Sequence, residues 1–434
     1  MLLIYVQKST RRIKYAFNVV FRELIKVPFE ITSEIEKFNS WKEPKFSYNT
    51  HALLDEFFVQ SNALLFENGI VEQDIIPIEI ENTTALFACS PKSHFPFDIF
   101  AATFYMVCRY EEYLPHKRDE HDRFEAKQSI STKCNFLNKP VVNQWAEILW
   151  KTISNKFPNL PRKEAKYKFL TTVDIDNAYL YKEKGFIRTI SGYAKNIFSL
   201  NFSSLRDRIF VQAGKKTDPY DTYAYQLDTI KKYKLDFVYF FLIGDYGIND
   251  KNIPISNPKF RSLIKHLSDY ADVGIHPSYA SNKDFKTLEL EVNKLSPIIK
   301  KEVTQSRQHF LKLKFPETYR NLIDLDILND YSMGYASHPG FRAGTCTPYY
   351  FYDLDLEVET RLKIHPFSVM EVTLQYYLKI KPEEAIKIYT DLIDEVKAVN
   401  GTFISVWHND TLADEGIWKG WRNTFEKMIQ YGKE

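Results

Sequence analysis

Five segments of the 434-residue chain carry ionisable side chains at or near the ends of apolar runs. FLTTVDIDNAYLY (169–181) brings Asp174 and Asp176, ADVGIHPSY (271–279) brings His276, and TFISVWHND (402–410) brings His408, Asn409 and Asp410. SRQHFL (306–311) carries Arg307 and His309, and GFRAGT (340–345) sets Arg342 between two glycines. Alternate residues of a strand share a face, so Asp174 and Asp176 point the same way, with backbones roughly 6.5 Å apart. Arg307 and His309 share a face by the same rule. Two carboxylates that close disfavour joint ionisation unless a cation sits between or beside them.

Such a set can hold and use a divalent ion. Two neutral imidazoles and one carboxylate bind the ion and leave positions for water and substrate. The ion lowers the pKa of water and polarises a carbonyl, a second carboxylate takes the water's proton, and a separate His protonates the leaving group. An Arg beside the base favours its charged form. This chemistry suits hydrolysis of an amide or ester. Plainer readings exist for each residue. Asp176 can cap a turn with Asn177, and a lone His among apolar residues is more often a hydrogen-bonded core residue than a ligand. What favours a site is the recurrence at strand ends, which converge on one rim in a parallel barrel.

The elements that would position these residues lie in the second part of the chain. Strands are expected at 168–175, 236–244, 271–276, 304–310, 331–336, 340–344, 367–374 and 402–408, with helices at 221–234, 258–270, 284–300, 318–330 and 382–399. Alternating strands and helices specify an α/β class, here a distorted (β/α) barrel of about seven strands over residues 161–434. A smaller α/β N-terminal domain is expected over 1–160, from a strand at 2–6, helices at 11–27, 97–114 and 141–157, and short strands near 28–35 and 75–81. The turn-rich PNLPRKEAKY (158–167) reads as the linker, and 201–223 as a long loop serving the ligand. HKRDEHDRF (116–124) reads as a solvated loop, with a substrate or interdomain contact as the alternative.

Composition narrows the partners. With 58 basic against 56 acidic residues the net charge is +2, and no concentrated basic face implies a nucleic acid. Four cysteines lack both a CxxC pair and zinc-ligand spacing, which reads as reduced thiols of a cytosolic protein. The apolar start MLLIYV is too short for a signal peptide, and no apolar run reaches the roughly 18 residues that span a membrane. Cytoplasm is the expected location. Nothing in the sequence specifies an oligomeric state.

The order of the segments resembles the polysaccharide deacetylases, carbohydrate esterases built on the distorted barrel of the NodB-homology type. That family opens on Thr-Phe-Asp-Asp-Gly, with its first Asp as base and its second as metal ligand. TVDID (172–176) resembles this motif and implies Asp174 as base and Asp176 as ligand, although the inserted Ile175 leaves the two roles exchangeable. The family's second motif is a His followed four residues on by another. His276 matches the first, but Ala280 stands at the second, and RQHF (307–310) resembles the replacement seen in a divergent branch, which makes His309 the third ligand. GFRAGT resembles the Arg motif and implies Arg342 beside the base. The family's Pro-Tyr continuation is absent, leaving Thr345 as a candidate for the oxyanion-binding amide. VWHN (406–409) resembles the closing Leu-His motif and implies His408 as general acid, with Glu371 of VMEVTL (369–374) either orienting it or paired with a lysine.

The resemblance covers roughly residues 168–430, and the N-terminal region resembles the uncharacterised domain preceding such barrels in some bacterial proteins. It implies one divalent ion, zinc first, with nickel, cobalt or iron as alternatives. It further implies removal of an N-acetyl group from a sugar or glycan precursor in bacterial surface polysaccharide metabolism. Two other functions fit the same segments: hydrolysis of other amides or esters, and a barrel that binds glycans or assembles with partners without catalysis.

Overall fold

Leu2–Val6 forms β1, with all five residues buried. The computed structural model describes every residue except Asn82. Around β1 lies a four-stranded parallel sheet in the order β2-β1-β3-β4, with β2 at Phe29–Thr32, β3 at Lys45–Asn49 and β4 at Phe57–Gln60. The expected helix over 11–27 is α1 (Arg11–Phe17), capped by the Thr10 side chain, running on as a π-helical segment over Asn18–Ile25. Phe17 and Phe21 bring their rings onto Phe100 of α2 (Ile99–Val107), and α3 (Val141–Lys156) follows. A small antiparallel pair, β5 (Ile78–Ile80) and β6 (Thr83–Ala85), lies between them in sequence.

The larger sheet has nine strands in the order β12-β13-β11-β10-β9-β8-β7-β15-β14, starting from β12 (Tyr349–Asp353) and β13 (Val358–Ile364). Its centre is β7 (Lys168–Ile175), β8 (Asp236–Phe241) and β15 (Thr402–His408), all mutually parallel and nearly continuous runs of buried residues. That pattern is what a parallel sheet covered on both faces requires. β9 (Asp272–Ile275), β10 (Gln305–Ser306) and β11 (Asn329–Asp330) extend it in parallel on one side, and β14 (Val369–Met370) on the other. The connecting helices are α4 (Phe186–Phe198), α5 (Phe202–Gln212), α6 (Tyr223–Tyr233), α7 (Pro258–Ser268), α8 (Phe285–Ile299), α9 (Glu317–Asp324) and α10 (Pro382–Ala398), and α11 (Trp421–Lys433) closes the chain.

The hydrogen-bonded order has two ends, β14 and β12, rather than a closed ladder of seven strands. Irregular backbone joins the far side instead. Phe367 N–H donates to the Met333 carbonyl (3.2 Å), and Gly340 N–H donates to the Ser368 carbonyl (2.7 Å). A second apolar cluster includes Phe240 of β8, Tyr331 after β11, Phe367 before β14 and Val406 of β15.

Three expectations are corrected here. Residues 331–336 are not a strand, because Asp330 Oδ1 accepts the Ser332 N–H (2.9 Å) and turns the chain as soon as β11 ends. Residues 340–344 are not a strand either, since Gly340 (φ +125°) and Gly344 (φ +66°) bend the backbone toward Leu137 and Val142. The pairing falls to a hairpin the sequence did not announce, β12 (Tyr349–Asp353) with β13 (Val358–Ile364), whose turn is tied by Asp353 accepting the N–H groups of Asp355 and Leu356. The stretch 201–223 opens with helix α5 and is not a loop throughout. Among the described residues, no helix is long and apolar enough to cross a membrane.

Candidate metal centre

β7 delivers Asp174 as its penultimate residue and Asp176 one position past its end. On one side, β9 ends at Ile275 and places His276 next to them, and the segment after β10 supplies Arg307 and His309. On the other, β15 ends at His408 in register with Asp174. The rim of a parallel sheet thus collects side chains from four strands, as the sequence spacing anticipated.

Asp176, His276 and His309 form a cluster in which one ligand atom from each lies within 4.8 Å of the others. His276 Nε2 is 3.2 Å from Asp176 Oδ1, and His309 Nε2 is 3.5 Å from Asp176 Oδ2. Ligand atoms bound to one tetrahedral ion at about 2.0–2.1 Å stand about 3.3 Å apart, so these separations fit. The far nitrogen of each ring is committed elsewhere. His276 Nδ1–H donates to the Arg307 carbonyl, and His309 Nδ1–H donates to Asp250 Oδ1 at 2.9 Å. Those bonds select the tautomer that turns each Nε2 lone pair toward Asp176, the usual arrangement for metal-binding imidazoles. Asp176 Oδ1 is itself a buried oxygen with no hydrogen-bond donor. Two lone pairs and a carboxylate facing one another suit a cation.

Without an ion the acids and imidazoles favour one another's charged forms, and a bound cation would take the place of the His309 Nε2 proton. Burial opposes a charge on Asp176, but His309 and His276 outweigh it and hold the carboxyl well below the usual carboxylate range. Burial likewise opposes a charge on His309, yet Asp176 and Asp250 push its pKa up to about 9.

Asp174 stands next to this cluster without the same freedom. Arg307 Nη1 donates to Asp174 Oδ1 (2.8 Å), while Asp174 Oδ2 lies 3.8 Å from His276 Nε2. Arg307 is fully buried, anchored through Nε to the Tyr331 carbonyl (3.0 Å) and stacked over Phe240. Opposite, His408 Nδ1–H donates to Glu371 Oε1 (2.8 Å), and the same oxygen accepts the His408 backbone N–H and the Thr411 hydroxyl, each at 2.8 Å. His408 Nε2 points back to within 3.9 Å of Asp176 Oδ2. Burial would lower the pKa of His408, but Glu371, with Asp176 and Asp174, raises it well above 6.5. A cavity of about 430 Å³ opens over these groups, walled by Tyr220, Tyr376, Tyr377 and Trp418.

Six of the seven site residues expected from sequence therefore meet here: Asp174, Asp176, His276, His309, Glu371 and His408. Arg342 does not. Its guanidinium makes a buried, two-pronged pair with Glu112 (2.9 and 2.6 Å) and donates to the Gly334 carbonyl (3.0 Å). The glycine bends at 340 and 344 carry it toward the N-terminal region, where Glu112 offers the carboxylate a buried arginine needs. The arginine that touches Asp174 is Arg307, whose shared face with His309 was the available signal. Thr345 is also elsewhere, donating from Oγ1 to Asn143 Oδ1 (2.8 Å) in α3. Asp250, in the loop after β8, went unnoticed because nothing in its local sequence marks it as an imidazole's partner. The 116–124 segment is only partly solvated: Arg123 lines the cavity and donates to the Phe310 carbonyl (2.8 Å).

Comparison with known proteins adds the following. Residues 2–158 match a family of unknown function, DUF7033. No curated protein matches the chain. Among solved structures, a protein assigned as a polysaccharide deacetylase from Mycobacterium smegmatis is similar at 10% identity, covering 62% of this chain and 84% of that one, with a TM-score of 0.41. Another so assigned, from Pseudomonas aeruginosa PAO1, is similar at 9% identity, 62% and 85% coverage and a TM-score of 0.39. A mutant of the CE4-family pseudoenzyme BA3943 with restored enzymatic activity is similar at 11% identity, 62% and 64% coverage and a TM-score of 0.30. At identities and scores this low, the geometry of the site carries the functional reading.

Proposed function

We propose that this chain is a metal-dependent hydrolase that removes an acetyl group from an N-acetylated sugar or glycan precursor. The observation that carries the reading is the convergence of the Asp176 carboxylate with Nε2 of His276 (on Oδ1) and of His309 (on Oδ2), flanked by one carboxylate and one imidazole with separate supports. A bound divalent ion, zinc first by the preference of this donor set, would activate water and polarise the amide carbonyl. Asp174 takes the proton of the attacking water through Oδ2, because Arg307 occupies Oδ1 and fixes the carboxylate plane. His408, held charged by Glu371, donates its Nε2 proton to the departing nitrogen. The aromatic cavity walls offer faces on which a sugar ring can stack.

This reading takes the large sheet and its irregular closure as a distorted, incomplete barrel over residues 161–434, with residues 1–160 as a separate domain and the cytoplasm as the location. Ala280 motivates the rival reading of a barrel that binds glycans without catalysis. The position of His309 beside Asp176 favours the enzyme, because it supplies the third ligand that Ala280 lacks. Elemental analysis of the purified protein, with His276→Ala and His309→Ala beside it, tests the centre. Stoichiometric metal lost in both variants, with acetate release from N-acetylated sugars by the parent, is the expected result. Metal content unchanged by both substitutions refutes the ligand set.

A further inference from the structure

The hairpin of α4 and α5 follows β7 on the rim that carries the site, yet none of its residues lines the cavity. On α4, Phe186, Ile190, Ile197 and Phe198 fall on one helical stripe. That stripe faces solvent, with Phe186 exposed by 80% and Phe198 by 88%. The side turned to α5 is the polar one. Asn196 is buried, and Gly192 is covered so closely by the Arg208 guanidinium that a Cβ there would lie 2.5 Å from it. α5 likewise exposes Phe202, Ile209 and Phe210 around Arg206, although it also buries Val211. Surface helices ordinarily turn their apolar stripe inward, and a contiguous exposed apolar patch marks an interaction surface. The patch continues onto the loop after β8, where Ile248 is exposed by 89% and the Arg188 guanidinium lies 3.9 Å over the Tyr246 ring.

Charge identifies the occupant. Residues 182–216 hold eight basic and two acidic side chains, in a chain whose net charge is only +2; of the eight, Lys184 is buried and Lys216 is paired with Asp207. Lys195, Arg206 and Lys215 are exposed and form no ion pair among the described residues. A second copy docking through the same face would set these cations against one another. An anionic lipid surface takes both features together, apolar side chains into the acyl boundary and cations at the headgroups. We propose that α4, α5 and the Tyr246–Ile248 loop dock the protein on the surface of an anionic bilayer. The same loop supplies Asn249 and Lys251 to the cavity wall, so docking brings the mouth of the cavity beside the headgroup layer. The docking stands independently of the chemistry assigned to the site.

Flotation of the full chain with vesicles tests this. Vesicles of phosphatidylcholine mixed with phosphatidylglycerol are expected to carry the protein, and vesicles of phosphatidylcholine alone to leave most of it behind. Added salt should reduce the bound fraction. Phe186→Ser with Phe198→Ser should weaken partition more than about ten-fold, and Arg206→Ser by about five-fold. All three side chains are exposed, so the melting temperature should not change, which separates lost docking from lost folding. Three outcomes would each overturn the proposal: no partition above that onto phosphatidylcholine, partition insensitive to these substitutions, or a stable dimer that Phe198→Ser dissociates while vesicles stay bare.

Discussion

Replacing Asp250 tests the ligand set without touching a ligand. Asp250 Oδ1 accepts the His309 Nδ1–H and the Tyr279 backbone N–H, both at 2.9 Å. Asp250→Ala removes the acceptor that fixes the His309 tautomer, so the ring no longer holds its Nε2 lone pair toward Asp176. Loss of such an outer partner costs about 10- to 100-fold in metal affinity, or about 1.4–2.7 kcal/mol. The same substitution strands the Tyr279 N–H, which costs about 1–3 kcal/mol of stability where water cannot replace the bond. Asp250→Asn separates the two effects from charge. Its side-chain oxygen can still accept from both donors, so stability should hold while affinity falls by less than in the alanine variant. Zinc competition against a chromophoric chelator measures the affinity, and thermal melting of the metal-free protein measures the stability. If Asp250→Ala binds zinc as tightly as the parent although its melting temperature falls, Asp250 supports the loop alone. His309 is then not a ligand oriented by it, and the proposed centre fails.

Glu371→Gln should lower kcat more than it changes KM for an N-acetylated sugar, and His408→Ala should cost about 10²–10⁴-fold in kcat with metal content intact. Arg307→Met should abolish most activity, whereas Arg342→Met should act on stability, by about 3 kcal/mol or more, because Glu112 loses one of its two buried partners; activity per folded molecule and melting curves of the two variants give opposite patterns. Lys184 is buried against Asn177, and burial, with Arg188 next, pushes its pKa down to about 7. The unfolded chain therefore binds more protons than the folded one above that value, so stability should rise with pH from about 7 toward 10.5, by up to roughly 5 kcal/mol. Lys184→Met should flatten that rise in pH-dependent denaturant titrations.

How much of this was legible in the sequence depended on which interactions fix each part. β7 and β15 fall where the apolar runs put them, because a central parallel strand must be apolar along its length. Their ends carry Asp174, Asp176 and His408, so the site residues on them were legible too. Helices α6, α7, α8 and α10 follow their periodicity and caps within two residues. The failures cluster where long-range partners decide. Arg342 looks like a site arginine between its glycines, but Glu112, 230 positions away, determines where it points. The glycines at 340 and 344 stood in a segment expected as a strand, and only the packing of Gly340 on Leu137 and of Gly344 on Val142 shows them to be close-approach positions. Helix α5 lies inside the 201–223 region expected as loop, since its apolar residues Phe202, Ile209 and Phe210 face solvent and so defeat the rule that such residues mark a core.

The N-terminal region reaches the metal centre through one short connection. His309 is followed by Phe310 (φ +59°) and Leu311 (φ +54°), two consecutive non-glycine residues in the left-handed region. Such a pair costs on the order of 1–3 kcal/mol per residue and persists only where surroundings enforce it. Arg123 supplies part of that enforcement by donating to the Phe310 carbonyl (2.8 Å) while Asp119 holds its other edge (2.7 Å). The rings of His121 and Tyr279 pack on Phe310 at 4.7 and 5.3 Å. Arg109 and Glu112 pin the same region to the second half of the chain, through the Arg342 carbonyl and guanidinium. The orientation of His309 thus depends on contacts made by residues 109–123, even though every proposed ligand lies beyond residue 173. On this geometry, residues 109–123 brace the turn that follows His309, the proposed third ligand.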